Sequence, residues 1–317
     1  MPDIHKLKFQ PGLIVNQEFF DYPAMQESAK NWLFLSRYRF GTGTFYGRHD
    51  GVQLSNLQFG HAVRHEGMMF SGLSPSDCLT IVILQKSAGC VCFNDLKMET
   101  GDIIIIDDSQ PYDFSSSHPT ILGVISIAKT LIATEIPWIL DTTDKIFKYK
   151  NNILSDTVEN EWRRVLEEPN LFNNTDEIKE MEGRIIKAIK CSFEGQTGEA
   201  CHLTEGEKTA LEVRSFLLNS LEETMSIQSI AKQFNLSEKT LLNSFRSLFG
   251  ITPKRFMQIL KLNKAHEDLC HADALKTNVS NIAIKWGFCN FGRFSKDYKA
   301  LFLVLPSETL NSTQATL

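Results

Sequence analysis

Between residues 34 and 127 the chain runs in short apolar blocks separated by Gly, Asp, Asn and Pro. Residues 78–84 form a β-branched run of strand length, and 90–93 and 96–98 flank Asn94-Asp95, a two-residue turn signal that predicts a hairpin. Gly101-Asp102 opens the run 103–106, Ser109-Gln110-Pro111 breaks it, and 121–127 supplies another strand. Strands at roughly ten-residue spacing predict a sandwich or barrel rather than a doubly wound sheet.

Beyond residue 127 the period becomes helical. Val158, Trp162, Val165 and Leu166 share one face of a helix predicted over 156–168, ended by Pro169. Ile178, Met181, Ile185, Ile186 and Ile189 share a face of a second, over 176–193. Two readings stand: the helices pack on the β domain, or they carry a dimer. Gly195 to Gly198 and Glu205-Gly206 bracket a polar stretch that reads as a linker, 196–206.

From 207 onward every segment reads as helix, with stop signals spaced for two helix-turn-helix units. Ser226 caps a helix over 227–234, Asn235 ends it in a left-handed conformation, and Ser237 caps the next, 238–249, closed by Gly250. Its inner stripe is Leu241, Phe245 and Leu248. Thr252-Pro253 starts a long helix through Leu269. Then the unit recurs. Ser280 is expected to cap a helix over 281–286, Gly287 to end it, and Asn290 to cap another carrying Phe294, Tyr298 and Leu301. The two second-helix caps, Ser237 and Asn290, lie 53 residues apart.

Charge sharpens this division. Residues 225–305 hold 12 Lys/Arg against 5 Asp/Glu, a net of +7, whereas the whole chain of 317 residues is at −5. An acidic body with a basic carboxy-terminal segment assigns any polyanion to that segment. Lys239, Arg246 and Lys254-Arg255 surround the first unit; Lys285, Arg293, Lys296 and Lys299 surround the second. Seven Cys, an odd number without paired CxxC spacings, fit free thiols in a reducing cytosol. No apolar run reaches the roughly 18–20 residues of a membrane span, and the first residues lack the apolar core of a secretory signal, so a cytoplasmic location is expected.

Residues 227–310 resemble the DNA-binding domain of AraC/XylS-type transcription regulators. The resemblance rests on Ser-Ile-Gln-Ser-Ile-Ala (226–231), Leu-Ser-Glu-Lys-Thr-Leu (236–241), Phe-Arg-Ser-Leu-Phe-Gly-Ile-Thr-Pro (245–253), Leu-Lys-Leu-Asn-Lys-Ala (260–265), Ile-Ala-Ile-Lys-Trp-Gly-Phe (282–288) and Phe-Ser-Lys-Asp-Tyr-Lys-Ala-Leu-Phe followed by Pro-Ser (294–307). In the amino-terminal part, Glu99-Thr-Gly-Asp102 leading into an apolar strand and then Pro111 looks like the cupin-type effector domain of such regulators.

The resemblance implies an α+β, multidomain chain: a cupin-like β-barrel with flanking helices for sensing and dimerisation (1–195; barrel about 30–130, helices about 156–193), a linker (196–206) and an all-α domain of two helix-turn-helix units joined by a long helix (207–312). It implies an activator controlled by a small-molecule effector, with promoter DNA, RNA polymerase and a second copy of the chain as partners, no membrane, no cofactor and no catalytic residues. By position, Lys239, Leu242, Asn243 and Arg246 would face DNA from the first recognition helix. Phe291, Gly292, Arg293, Ser295 and Lys296 would do so from the second, where Phe291 and Gly292 depart from the family's more polar pattern.

Two alternatives stay open: a regulator gated by a protein partner or a physical signal, and a cupin-type metalloenzyme. The second rests on the spacing His61-x-x-x-His65-Glu66, yet the cupin signature of two His one residue apart with a following Glu is missing. Cys90 and Cys92 share a strand face and read as buried small hydrophobes. Phe34, Tyr38, Phe40, Phe45 and Tyr46 would line an effector cavity or fill the core; no effector-binding residue is assigned.

Overall fold

The computed structural model describes residues 7–29, 31–94, 96–143, 146–147, 152–168, 170–194, 203–221 and 225–312. Asp95 of the expected hairpin turn, Pro169, and most of the expected linker, including Gly195 and Gly198, lie outside these. The elements in chain order are β1 (Gly12–Phe19), α1 (Tyr22–Ser28), β2 (Leu33–Arg39), β3 (Gly47–Gln53), β4 (Leu57–Arg64), β5 (Met68–Leu73), β6 (Cys78–Ser87), β7 (Val91–Phe93), β8 (Leu96–Met98), β9 (Ile103–Asp107), β10 (Tyr112–Ser116), β11 (Thr120–Ala128), α2 (Lys129–Glu135), β12 (Ile146–Phe147), α3 (Ile153–Glu167) and α4 (Thr175–Phe193). There follow α5 (Glu205–Asn219), α6 (Ile227–Gln233), α7 (Glu238–Phe249), α8 (Pro253–His271), α9 (Val279–Lys285), α10 (Phe291–Phe302) and α11 (Pro306–Ser312). They form two units, one of residues 1–37 with 45–202, the other of 38–44 with 203–317.

The first unit is not the expected cupin-like β-barrel. Its strands form two open sheets: seven strands in the order β1-β3-β4-β11-β6-β9-β12, and five in the order β2-β5-β10-β7-β8. Parity along the central strands explains why closure is not needed. Leu79, Ile81 and Ile83 of β6 and Ile103 and Ile105 of β9 belong to one core with Ile132, Val158, Trp162, Met181, Ile185 and Ile189 of the helices. Val82, Leu84, Ile104 and Ile106 belong to a second core with Phe70, Phe93 and Phe114 of the five-stranded sheet. A sheet buried on both faces reads as an uninterrupted apolar run, which is what residues 103–106 are. The helices thus spend their apolar stripes on the sheet, as the first of the two readings expected. Buried Glu182 on α4 accepts from the Asn56 backbone N–H and side chain at 2.5 and 3.1 Å, tying the helix to the β3–β4 turn.

The second unit is all helix apart from 38–44. Thr204 and Glu207 make a reciprocal capping box, so Glu205 and Gly206, expected as linker, open α5. Ser226, Ser237 and Asn290 each accept the capping N–H expected of them, and Thr252 accepts one at the start of α8. The exception is α9. It begins earlier than expected, at Val279, and its cap is Asn278 rather than Ser280. Both types can accept an N–H, and the two extra helical residues complete the turn ahead of Ile282 and Ala283, which are buried.

The repeat extends to the stops. Leu236 N–H donates to the Ala231 carbonyl, and Phe288 N–H to that of Ala283, each past a left-handed residue, Asn235 (φ 54°) or Gly287 (φ 79°). Gly250 ends α7 at φ 69°; its counterpart 53 positions on, Leu303, ends α10 at φ 67° and is exposed. A leucine there strains Cβ against the following carbonyl, by roughly 1 kcal/mol. Leu303→Gly is therefore expected to stabilise the unit by about 1 kcal/mol in urea unfolding. An unchanged or lower midpoint would show that the strain is relieved elsewhere.

Candidate nucleic-acid interface and an internal cavity

The two recognition helices are amphipathic in the same sense. On α7 the buried side is Leu241, Ser244, Phe245, Leu248 and Phe249. Lys239, Asn243 and Arg246 are exposed, and Leu242 is half-buried between the faces. On α10 the buried side is Phe294, Tyr298 and Leu301. Phe291, Gly292, Arg293 and Lys296 are exposed and Ser295 is half-buried. Phe291 keeps 42% of its surface in solvent, a large apolar ring on the first turn.

The basic residues divide by what holds them. Arg293 is 3.6 Å from Asp297, one turn on, and Lys285 is 2.8 Å from Asp268, which also accepts from Trp286 Nε1. Arg255 is half-buried and donates to Gln258. Those contacts brace the helices. Lys239, Arg246 and Lys296 have no ion pair among the described residues, so their charges face solvent.

The residues of the metalloenzyme alternative are not gathered. His61 Nε2 lies 3.7 Å from Glu159 on α3, with its ring against Trp162, while His65 packs edge-on to Tyr46. Among the described residues no three His, Cys, Asp or Glu side chains meet as metal ligands. The Cys90 and Cys92 sulfurs are 3.8 Å apart and buried. Among the described residues no helix is long and apolar enough to cross a membrane.

Sequence reasoning did not locate the cavity of about 640 Å³ inside the first unit. By register, Gln58, Gly60, Ala62 and Arg64 of β4 share a face with Gln53, Gly51 and His49 of β3 and with Val124 and Leu122 of β11. This face lines the space, and the paired glycines leave it without side chains at its centre. Gly60 is obligatory there: a Cβ would stand 1.9 Å from the Asp50 carbonyl oxygen. Of the five early aromatics, Phe34 lines the cavity, Phe45 is core, Tyr46 donates to Glu18, and Tyr38 and Phe40 fall in the second unit. The missed signal was Arg64, a charge at an inward position of a strand.

His49, also on the cavity wall, shares a 2.7 Å hydrogen bond with Ser28. Burial, aided by the Arg64 charge, lowers its pKa from 6.5 to about 3. The folded protein therefore keeps it neutral, whereas the unfolded chain takes up a proton below pH 6.5. Stability from this group is complete above pH 6.5 and falls as acid approaches pH 3. At pH 5 the loss is about 2 kcal/mol. Between pH 7.5 and 5, His49→Gln should lose that much less stability than the parent in urea unfolding. Equal losses would remove His49 as the cause.

Residues 230–312 match the family model of a helix-turn-helix domain. The chain is similar to the probable thc operon regulatory protein of Rhodococcus erythropolis, 35% identical over 29% of this chain and 27% of that protein. It is also similar to XylDLEGF operon transcriptional activator 1 of Pseudomonas putida, 22% identical over 82% of this chain and 81% of that one. A solved structure of a probable AraC family transcriptional regulator from Rhodopseudomonas palustris is 26% identical over 33% of this chain and 97% of its own, with a TM-score of 0.32. The match to the Rhodococcus protein thus spans about a quarter of its length. The second unit carries a tandem helix-turn-helix domain, and its likeness is to AraC/XylS-type regulators.

Proposed function

We propose that the protein is a sequence-specific DNA-binding transcription regulator and an activator, with a small-molecule effector received by the first unit. The observation that carries the reading is the duplicated helix-turn-helix with matching caps, stops and exposed polar faces. A helix-turn-helix inserts its second helix in the major groove while the first crosses the backbone, and two units joined by one helix can read successive grooves. The similarity to curated activators supports the sign of regulation, and the cavity of the first unit supports an effector. RNA polymerase and a second copy of the chain come with the same reading, as the resemblance implies.

In this reading Lys239 and Asn243 address base edges, since Asn pairs with adenine and Lys with guanine. Leu242 flanks them on α7, Ser295 is presented from α10, Arg246, Arg293 and Lys296 serve the backbone, and Phe291 meets a thymine methyl where Gly292 lets the helix approach closely. The first helix-turn-helix, α6 and α7, then supplies most base discrimination. The test is a salt titration of the full chain on a pool of genomic fragments against random duplex. Steep salt dependence with enrichment of particular fragments is expected. No binding at low salt would discard the reading. On an enriched fragment, Asn243→Ala should cost about 1–3 kcal/mol and relax preference at one base pair. Equal weakening on enriched and random DNA would remove Asn243 from base readout.

A further inference from the structure

Arg64 is a guanidinium in the interior of a β-sandwich, at 7% exposure, with no ion pair to an acid among the described residues. Its Nη1 has no hydrogen-bond partner, and the side chain lines the cavity. It lies over the rings of Phe70 and Phe114, at 5.0 and 5.7 Å from their centroids, which are cross-strand partners on β5 and β10. Burial works against its charge, and the Tyr22 and Tyr112 hydroxyls offset part of that. Asp50, an acid among the residues that line the cavity, is engaged by Arg48 at 2.8 Å. Two residues before Phe114, Tyr112 is 2% exposed, lines the same cavity, and its hydroxyl also has no partner.

Burying a cation without an anion is costly, and burying a phenol without an acceptor adds to that cost. Aromatic faces offset part of it and hold the guanidinium in place. What the pair lacks is an acceptor with negative charge. Around it the walls are flat and apolar, formed by Trp32, Phe34, Phe70 and Phe93, and the volume suits a small organic molecule.

We propose that this cavity is a binding site for a small carboxylate with a flat or unbranched apolar body, its carboxylate held by Arg64 and Tyr112 and its body lying among these aromatic rings. A carboxylate supplies the two-oxygen acceptor that a guanidinium fork matches, with an oxygen left for the phenol. His49, neutral on the same wall, adds no charge of its own beside Arg64. The inference rests on the regulator reading for its consequence, an effector, while the binding itself is a property of the first unit.

Calorimetry on the full-length, DNA-free protein tests it with naphthalene-2-carboxylate and decanoate, each beside its neutral amide. At least one acid should bind, at least tenfold tighter than its amide. Arg64→Met, which replaces the buried charge by an apolar chain of similar length, should abolish that preference while leaving amide binding within a few-fold. Tyr112→Phe, which keeps the ring, should weaken the acid alone. Equal binding of acid and amide, undiminished acid binding by Arg64→Met, or no acid binding at millimolar concentration overturns the assignment. Acid binding by a protein that never binds DNA would instead overturn the regulator reading and leave this one standing.

Discussion

Replacing Phe245 by alanine is expected to remove about 3–5 kcal/mol of stability from the second unit. The side chain is wholly buried, with ring centroids 5.1 Å from Phe249 and 5.5 Å from Phe256. It sits on the inner stripe of α7, so its loss both opens a cavity and detaches the helix that carries Lys239 and Asn243 from α8. Losses of this size approach the whole stability of a small domain. Urea unfolding followed by far-ultraviolet circular dichroism measures it, with Phe245→Leu as the graded partner expected to lose less than half as much. If alanine cost under 1 kcal/mol, the aromatic cluster would not be what holds α7.

The second large effect is electrostatic. Arg246 and Lys296 stand exposed on the two recognition helices and are held by no acid among the described residues, so their charges are available to phosphates. Each neutralised phosphate contributes about 0.9 to the slope of log affinity against log salt. The double change Arg246→Ala/Lys296→Ala should lower that slope by about 1.8 and weaken binding at 0.1 M salt on the order of 60-fold, on every sequence alike. Fluorescence anisotropy between 0.05 and 0.3 M salt measures both numbers (about a sixfold range). A slope that stays put, or a loss confined to one sequence, would move these residues off the backbone.

What could be read from sequence was what is local. A cap needs one side chain and an N–H three residues on, and Ser226, Ser237 and Asn290 were legible for that reason. Asn235 was legible as a left-handed stop because few side chains tolerate that backbone. Where two acceptors stood close together, at Asn278 and Ser280, local logic chose the wrong one, since burial of Ile282 and Ala283 decides where that helix starts.

The β region failed differently. Residues 103–106 were recognisable as a strand, but that both faces are covered, by helices on one side and a second sheet on the other, is a property of partners far along the chain. Without it, a run of strands reads as a barrel. The strand β1 gave no signal, because Leu13 and Ile14 are exposed and the alternation that marks a half-buried strand is missing. Arg64 was invisible for the opposite reason. Charged residues are placed outside by default, and only register against Gly47 and Thr120 turns this one inward.

The same register governs how fast each half of the molecule can form. Strand β11 lies between β4 and β6, so Thr120 must find Arg64 and Ser87 across long stretches of chain before β11 gains either of its ladders. Closing such loops is an entropic toll taken before the contacts repay it, and ordering is correspondingly slow. In the helical unit α6 meets α7, α7 meets α8 and α8 meets α9, neighbours in sequence that need no long search. The portion synthesised earlier is therefore the slower to order, and the helical unit organises on a faster clock than the sheets that precede it.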